Sequence, residues 1–114
     1  SPETVGLDEN ATLEERVWHT LKCIYDPEIP VDIVDLGLIY DVTVTELENG
    51  LHHVAVKMTL TAPGCGMGPH LVMEAKDRIE ALEGVEAADV DMVWDPPWNQ
   101  EMVSEEGKMK LGLI

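Results

Sequence analysis

The stretch Thr61 to His70 reads TAPGCGMGPH and contains Cys65, the side chain in this chain best placed to do chemistry. Gly64, Gly66 and Gly68 surround it, and glycine lets a backbone bend where a side chain would clash. A helical pattern begins after the last glycine, with Pro69 suited to a first helical position. Free amides and the dipole at a helix start favour negative charge, so a cysteine there is expected to ionise more readily than a free thiol. Thiolate is the form that ligates soft metals and attacks electrophiles. The plainer alternative is a small apolar residue in a tight turn, since free cysteines are often simply buried. The flanking glycines, which call for no hydrophobic knob, favour the chemical reading. A phosphate-cradling loop fits less well, because no lysine follows the last glycine.

Other residues invite a chemical or a structural reading. Asp26-Pro27-Glu28 sets two carboxylates on a rigid turn, able to orient a metal, a base or a cationic partner, or simply to end a helix with solvated charge. Asp35 stands in an apolar stretch and either caps a local turn or serves a site. His70 follows Cys65 at the helix start and is either a fifth-residue neighbour to a metal site or an exposed side chain. Trp94-Asp95-Pro96-Pro97-Trp98 places two indoles around a stiff turn, where Trp98 either contacts a partner or closes the core edge. His19, His52 and His53 read as solvated, and Cys23 as a packing residue.

The elements that must position these residues follow from periodicity. Thr12-Leu13-Glu14-Glu15 has the form of a capping box, and Leu13, Val17, Leu21 and Ile24 recur at helical spacing. A first helix is expected from about Leu13 to Tyr25, stopped by Asp26-Pro27. Tyr40, Val42 and Val44 alternate with polar neighbours, as do Val54, Val56, Met58 and Leu60. Asn49-Gly50 lies between them and reads as a hairpin turn, both residues tolerating positive φ. Leu71, Val72, Ala75, Ile79 and Leu82 form the apolar stripe of a second helix, with Gly84 as its left-handed cap. Ala88, Val90, Met92 and Trp94 alternate as a third strand, and a final helix is expected from about Gln100 to Leu111, weakened by Gly107. The order α-β-β-α-β-α implies an α+β fold, a two-layer sandwich in which helices cover a small mixed or antiparallel sheet. Residues 1–11 read as a flexible acidic tail and 12–114 as a single domain.

Composition narrows the function. Of 114 residues, 7 are basic and 23 acidic, a net charge of −16. That surface repels phosphate backbones and anionic lipid, so neither nucleic acid nor a membrane is an expected partner, whereas a cationic partner or metal ions are accommodated. Two cysteines make no disulfide framework, and no apolar run approaches the roughly 20 residues of a membrane span. The expected compartment is a reducing cytoplasm.

Three segments together carry a resemblance. YDPEIPVDIVDLGLIYDV (25–42), MTLTAPGCGMG (58–68) and WDPPWNQEMVSEEGKMKLG (94–112) resemble the metal–sulfur cluster biosynthetic family, which includes SufT-type proteins and the PaaD subunit of phenylacetate degradation. The likeness spans about Thr12 to Leu113 and departs from the pattern at Gly66, where many relatives carry proline. It implies the α+β fold shared with the C-terminal domain of NifU-like proteins. It also implies a non-enzymatic role in maturing iron–sulfur proteins, with client proteins and other assembly factors as partners. Cys65 corresponds to the family's characteristic cysteine, Asp26 and Glu28 to its acidic turn, and Asp35 and Thr61 match as well.

The functional expectation is an assembly or transfer factor whose Cys65 thiolate meets iron, sulfide or a cluster transiently. Common clusters take about four protein ligands, and one chain offers a single thiolate. A homodimer, a partner or external thiols would have to supply the rest, so no tightly held cluster is expected on the monomer. The competing readings are an adaptor that docks clients or an ATPase through the acidic loop and Trp98, and a PaaD-like maturation subunit. A thiol enzyme lacks a base beside Cys65 other than His70.

Overall fold

The computed structural model describes residues 10–26, 29–62, 66 and 68–114. Helix α1 (Leu13–Leu21) opens on the expected capping box. The Glu15 amide donates to Thr12 Oγ1 at 3.1 Å, and the Thr12 amide donates to Glu15 Oε1 at 2.9 Å. The helix ends four residues before the expected Tyr25, because the chain must turn to bury Ile24. The Cys23 and Ile24 amides donate to Thr20 and Leu21 carbonyls, tightening the last turn, and Ile24 enters the core. Tyr25 then bridges Asp32 in antiparallel fashion.

Strands β1 (Ile39–Glu46) and β2 (His52–Met58) form the hairpin, pairing Val42 with Val56 and Val44 with Val54. The connection is longer than a two-residue turn. Only Gly50 takes a positive φ, at 83°, while the Asn49 side chain accepts the Leu51 amide at 3.0 Å. Strand β3 (Val85–Met92) joins the other edge of β2 in parallel, giving a mixed sheet in the order β1-β2-β3. A parallel pair needs a crossover, and helix α2 (Gly68–Glu80) supplies it.

Register decides which face is buried. Val54, Val56 and Met58 align with Ala88, Val90 and Met92 on the core face, against Val17 and Leu21 of α1 and Leu71, Ala75 and Ile79 of α2. The opposite face carries Asp41, Thr43, His53, Lys57, Asp89 and Asp91 and faces solvent. This is the expected two-layer α+β architecture, built without phenylalanine.

The C-terminal segment differs from the expected continuous helix. It forms a single 3-10 turn (Gln100–Met102), breaks at Val103-Ser104 and resumes as α3 (Glu105–Leu111). Ser104 causes the break: its hydroxyl accepts the Gly107 amide at 3.0 Å and caps the new helix. Gly107 is required there. A Cβ on it would lie 2.8 Å from Val103 Cγ1 and 3.1 Å from the Asp35 carbonyl.

Candidate functional site

The segment carrying the cysteine runs from the end of β2 to the start of α2, and both of its ends are fixed. The Thr59 amide donates to the Leu38 carbonyl at 2.8 Å, and Thr59 is buried. Leu60, 5% exposed, lies against Gly68, the first residue of α2. A Cβ on Gly68 would sit 2.9 Å from Leu60 Cδ1, so a side chain there would have to push the end of Leu60 aside. Thr61 is half-buried. Gly66 is exposed, and a Cβ there would touch nothing within 4 Å, so its role is not to make room. Cys65 and Gly64 lie outside the described residues, as does Glu28 of the acidic turn.

The other sequence candidates have clear positions. His70 is exposed in the first turn of α2. Asp26 is half-buried, and its carbonyl accepts the Ile29 amide. Trp98, read from the sequence as either a partner contact or a closer of the core edge, is half-buried against the core. Its indole N–H donates to the Leu36 carbonyl at 2.6 Å, and the exposed indole is Trp94, at 46%. Among the described residues, no three His, Cys, Asp or Glu side chains gather as a metal-holding group, so Asp26, Asp35 and His70 do not converge into one.

Asp35 belongs to a buried polar knot. Asp32 Oδ1 accepts the amides of Val34 and Asp35, both at 2.9 Å, in an Asx turn. Asp35 Oδ1 accepts the Ser104 hydroxyl at 2.9 Å, and the Asp35 carbonyl accepts the Ser104 amide at 2.7 Å. Burial pushes the Asp32 carboxyl up to about 6, and the neighbouring Asp35 carboxylate adds to the rise. Burial also acts to raise Asp35, but hydrogen bonds from Asp32 and Ser104, with Lys22 and Lys110 nearby, hold it below the usual carboxylate range. The two carboxyls are pushed in opposite directions, Asp32 up and Asp35 down, and titrate as a linked pair. Asp32 and Ser104 escaped the sequence reading. Asp32, three residues before Asp35, has the signature of an Asx turn, and Ser104-Glu105-Glu106 that of a helix cap.

Residues 14–91 match the family described as iron–sulfur cluster assembly protein. The chain belongs to that family. Its fold agrees with a domain of unknown function from Bacillus anthracis, solved by crystallography, with a TM-score of 0.77 and 37% identity over 90% of this chain and 93% of that one. It is 42% identical to the Fe-S protein maturation auxiliary factor YitW of Bacillus subtilis, over 89% of this chain and 95% of the relative. It is 39% identical to the Fe-S protein maturation auxiliary factor SufT of Staphylococcus aureus, over 79% of this chain and 98% of the relative. The family match begins one residue into α1, takes in β1, β2, the glycine-rich junction and α2, and ends one residue before the end of β3, short of Trp98 and Ser104.

Proposed function

We propose that this chain is an accessory factor in the assembly or transfer of iron–sulfur clusters to client proteins, and that the Cys65 thiolate is the group that meets the cargo. Family membership and the relatives called maturation auxiliary factors support an accessory role rather than a catalytic one. One observation supports the cysteine: the segment holding it is bounded by two fixed points, Thr59 on Leu38 and Leu60 on Gly68, directly before a helix start. A soft anion placed ahead of a helix is suited to ligating iron or a cluster edge. The cluster is cargo here. One thiolate supplies a minority of the about four ligands that clusters take, which favours brief contact and hand-over above storage. Client proteins and other assembly factors are the partners, in the cytoplasm.

Anaerobic transfer tests this directly. An apo-ferredoxin is mixed with ferrous iron, sulfide and the chain, and holo-protein formation is followed by visible absorbance. Wild type and His70→Ala are expected to accelerate formation, and Cys65→Ser is not. Equal acceleration by Cys65→Ser would reduce the cysteine to a loop-shaping residue and favour an adaptor.

A further inference from the structure

Strand β3 is an outer strand of the sheet, and its free edge is treated differently along its length. The Ala88 amide donates to Glu80 Oε2 at 2.9 Å, and the Ala88 carbonyl accepts Lys76 Nζ at 2.6 Å. Both groups of Ala88 therefore point away from β2 and are covered by an α2 ion pair in which Lys76 and Glu80 meet at 2.8 Å. The Lys76 ammonium holds Glu80 below the usual carboxylate range, so this cover stays charged. Covering an edge with charged side chains is a common defence against unwanted strand pairing.

The defence stops one turn along. Register with β2 is unbroken from Ala87 to Met92, and backbone groups alternate sides along a strand, so Val90 and Met92 also turn their N–H and C=O groups outward. The intervening parity points inward, as the Val93 amide does in donating to the Met58 carbonyl at 2.7 Å. Opposite Val90 and Met92, α2 offers Val72 and Pro69 where Lys76 and Glu80 stood. Among the described residues nothing covers this part of the edge. A groove of about 530 Å³ opens beside it instead, lined by Leu60, Gly68, Val72, Val90, Met92 and Trp94.

We infer that the Val90–Trp94 edge takes an extended segment of a partner protein as a fourth strand, one in which apolar residues alternate with basic ones. Alternation follows from the pleat: apolar side chains on one face enter the groove, and those on the other face meet the row of Asp89 and Asp91. Basic residues follow from charge, since Asp89 and Asp91 are exposed on that other face and the chain carries −16 overall. The same charge disfavours a second copy of this chain as occupant. Leu60 and Gly68 belong both to this groove and to the ends of the Cys65 segment. Naming the occupant as a client protein rests on the proposed maturation role; the strand addition itself does not.

Fluorescence anisotropy with a short labelled peptide alternating valine and lysine tests the inference on the full chain. Saturable binding is expected, with a block-scrambled peptide of the same composition at least about tenfold weaker, the scale of one lost hydrogen bond or more. Val90→Pro deletes an outward amide at an edge position, where proline is tolerated, and is expected to cost a similar factor. Val72→Lys fills the groove from a half-exposed helix position and should abolish binding while the circular dichroism spectrum stays unchanged. Equal binding of both peptides, or undiminished binding to a folded Val72→Lys variant, would mean surface charge alone and overturn the proposal. So would a homodimer that Val72→Lys dissolves, since the occupant would then be a second copy. Cys65→Ser is expected to leave peptide affinity unchanged, so a failure of cluster transfer counts against the cysteine and a failure of peptide binding against the edge.

Discussion

Two turns of this chain differ in sequence and in how they are held: DIVDLGL (32–38) has one glycine among mostly apolar residues, whereas TLTAPGCGMG (59–68) has three glycines and no charge. The 32–38 turn is bonded from every side. Asp32 closes it, Asp35 is tied to Ser104, Leu36 accepts the Trp98 indole, and Gly37 lies under Met102. The 59–68 junction is fixed at Thr59, Leu60 and Gly68, while Gly66 stands in open space. A polar group whose hydrogen bonds are all satisfied internally is part of the scaffold, whatever its residue type suggests. Asp35 and Trp98 are of that kind. Loops on rigid supports are where function concentrates, and for that reason we propose the junction as the place that meets an external partner.

The sharpest way to break this contrast is at Gly37, whose φ is +80° and whose added Cβ would collide with the Met102 backbone. Gly37→Ala is expected to lower stability by about 3 kcal/mol, read as a fall in the urea midpoint. A loss below about 1 kcal/mol would mean that the C-terminal segment gives way easily and the turn is not the rigid partner in the comparison.

The Asp32–Asp35 pair offers a second, pH-dependent test. Asp32 titrates near 6 in the folded chain against 3.8 ordinarily, so the native state binds the extra proton between those values. Its contribution to stability is therefore fully present below about pH 4 and is lost as pH rises through about 6. Asn at this position keeps the acceptor for the Val34 and Asp35 amides and imitates the protonated acid. Asp32→Asn is expected to match wild type near pH 4 and to exceed it by on the order of 1–2 kcal/mol at pH 7. A variant less stable than wild type at pH 7 would show that the charged form is the one the knot requires.

The junction itself predicts a smaller and graded effect. Gly68→Ala forces the flexible end of Leu60 aside and is expected to cost about 1 kcal/mol, whereas Gly66→Ala should fall within about 0.5 kcal/mol of wild type. Reversal of that order, by thermal denaturation, would move the fixed point of the junction from Gly68 to Gly66.

How much of this was legible beforehand depends on the range of the interaction. The capping box at Thr12, the alternation in β1 and β2 and the stripe of α2 are local patterns, and each appears where periodicity places it. The early end of α1 was not legible, because the reason is the burial of Ile24 against a segment that comes later in the chain. The break at Ser104 likewise depends on Asp35, 69 residues away, and Gly107 reads as a helix breaker until its contact with Val103 is seen. The parallel pairing of β3 is a matter of topology that alternation cannot specify. At the candidate site, the glycine-flanked cysteine was visible at once. That Trp94 and not Trp98 is the exposed indole required the fold.

The central claim is that Cys65 is an accessible thiolate, and alkylation measures it most directly. In a Cys23→Ser background, the rate of iodoacetamide modification is followed against pH under native conditions. Cys23 is half-buried with its thiol directed to the His19 carbonyl, so its removal leaves one reporter. The account predicts rapid modification of the folded chain with a midpoint below the value of about 8.5 for free cysteine. Modification that appears only on unfolding, or a midpoint at or above that of free cysteine, would contradict it.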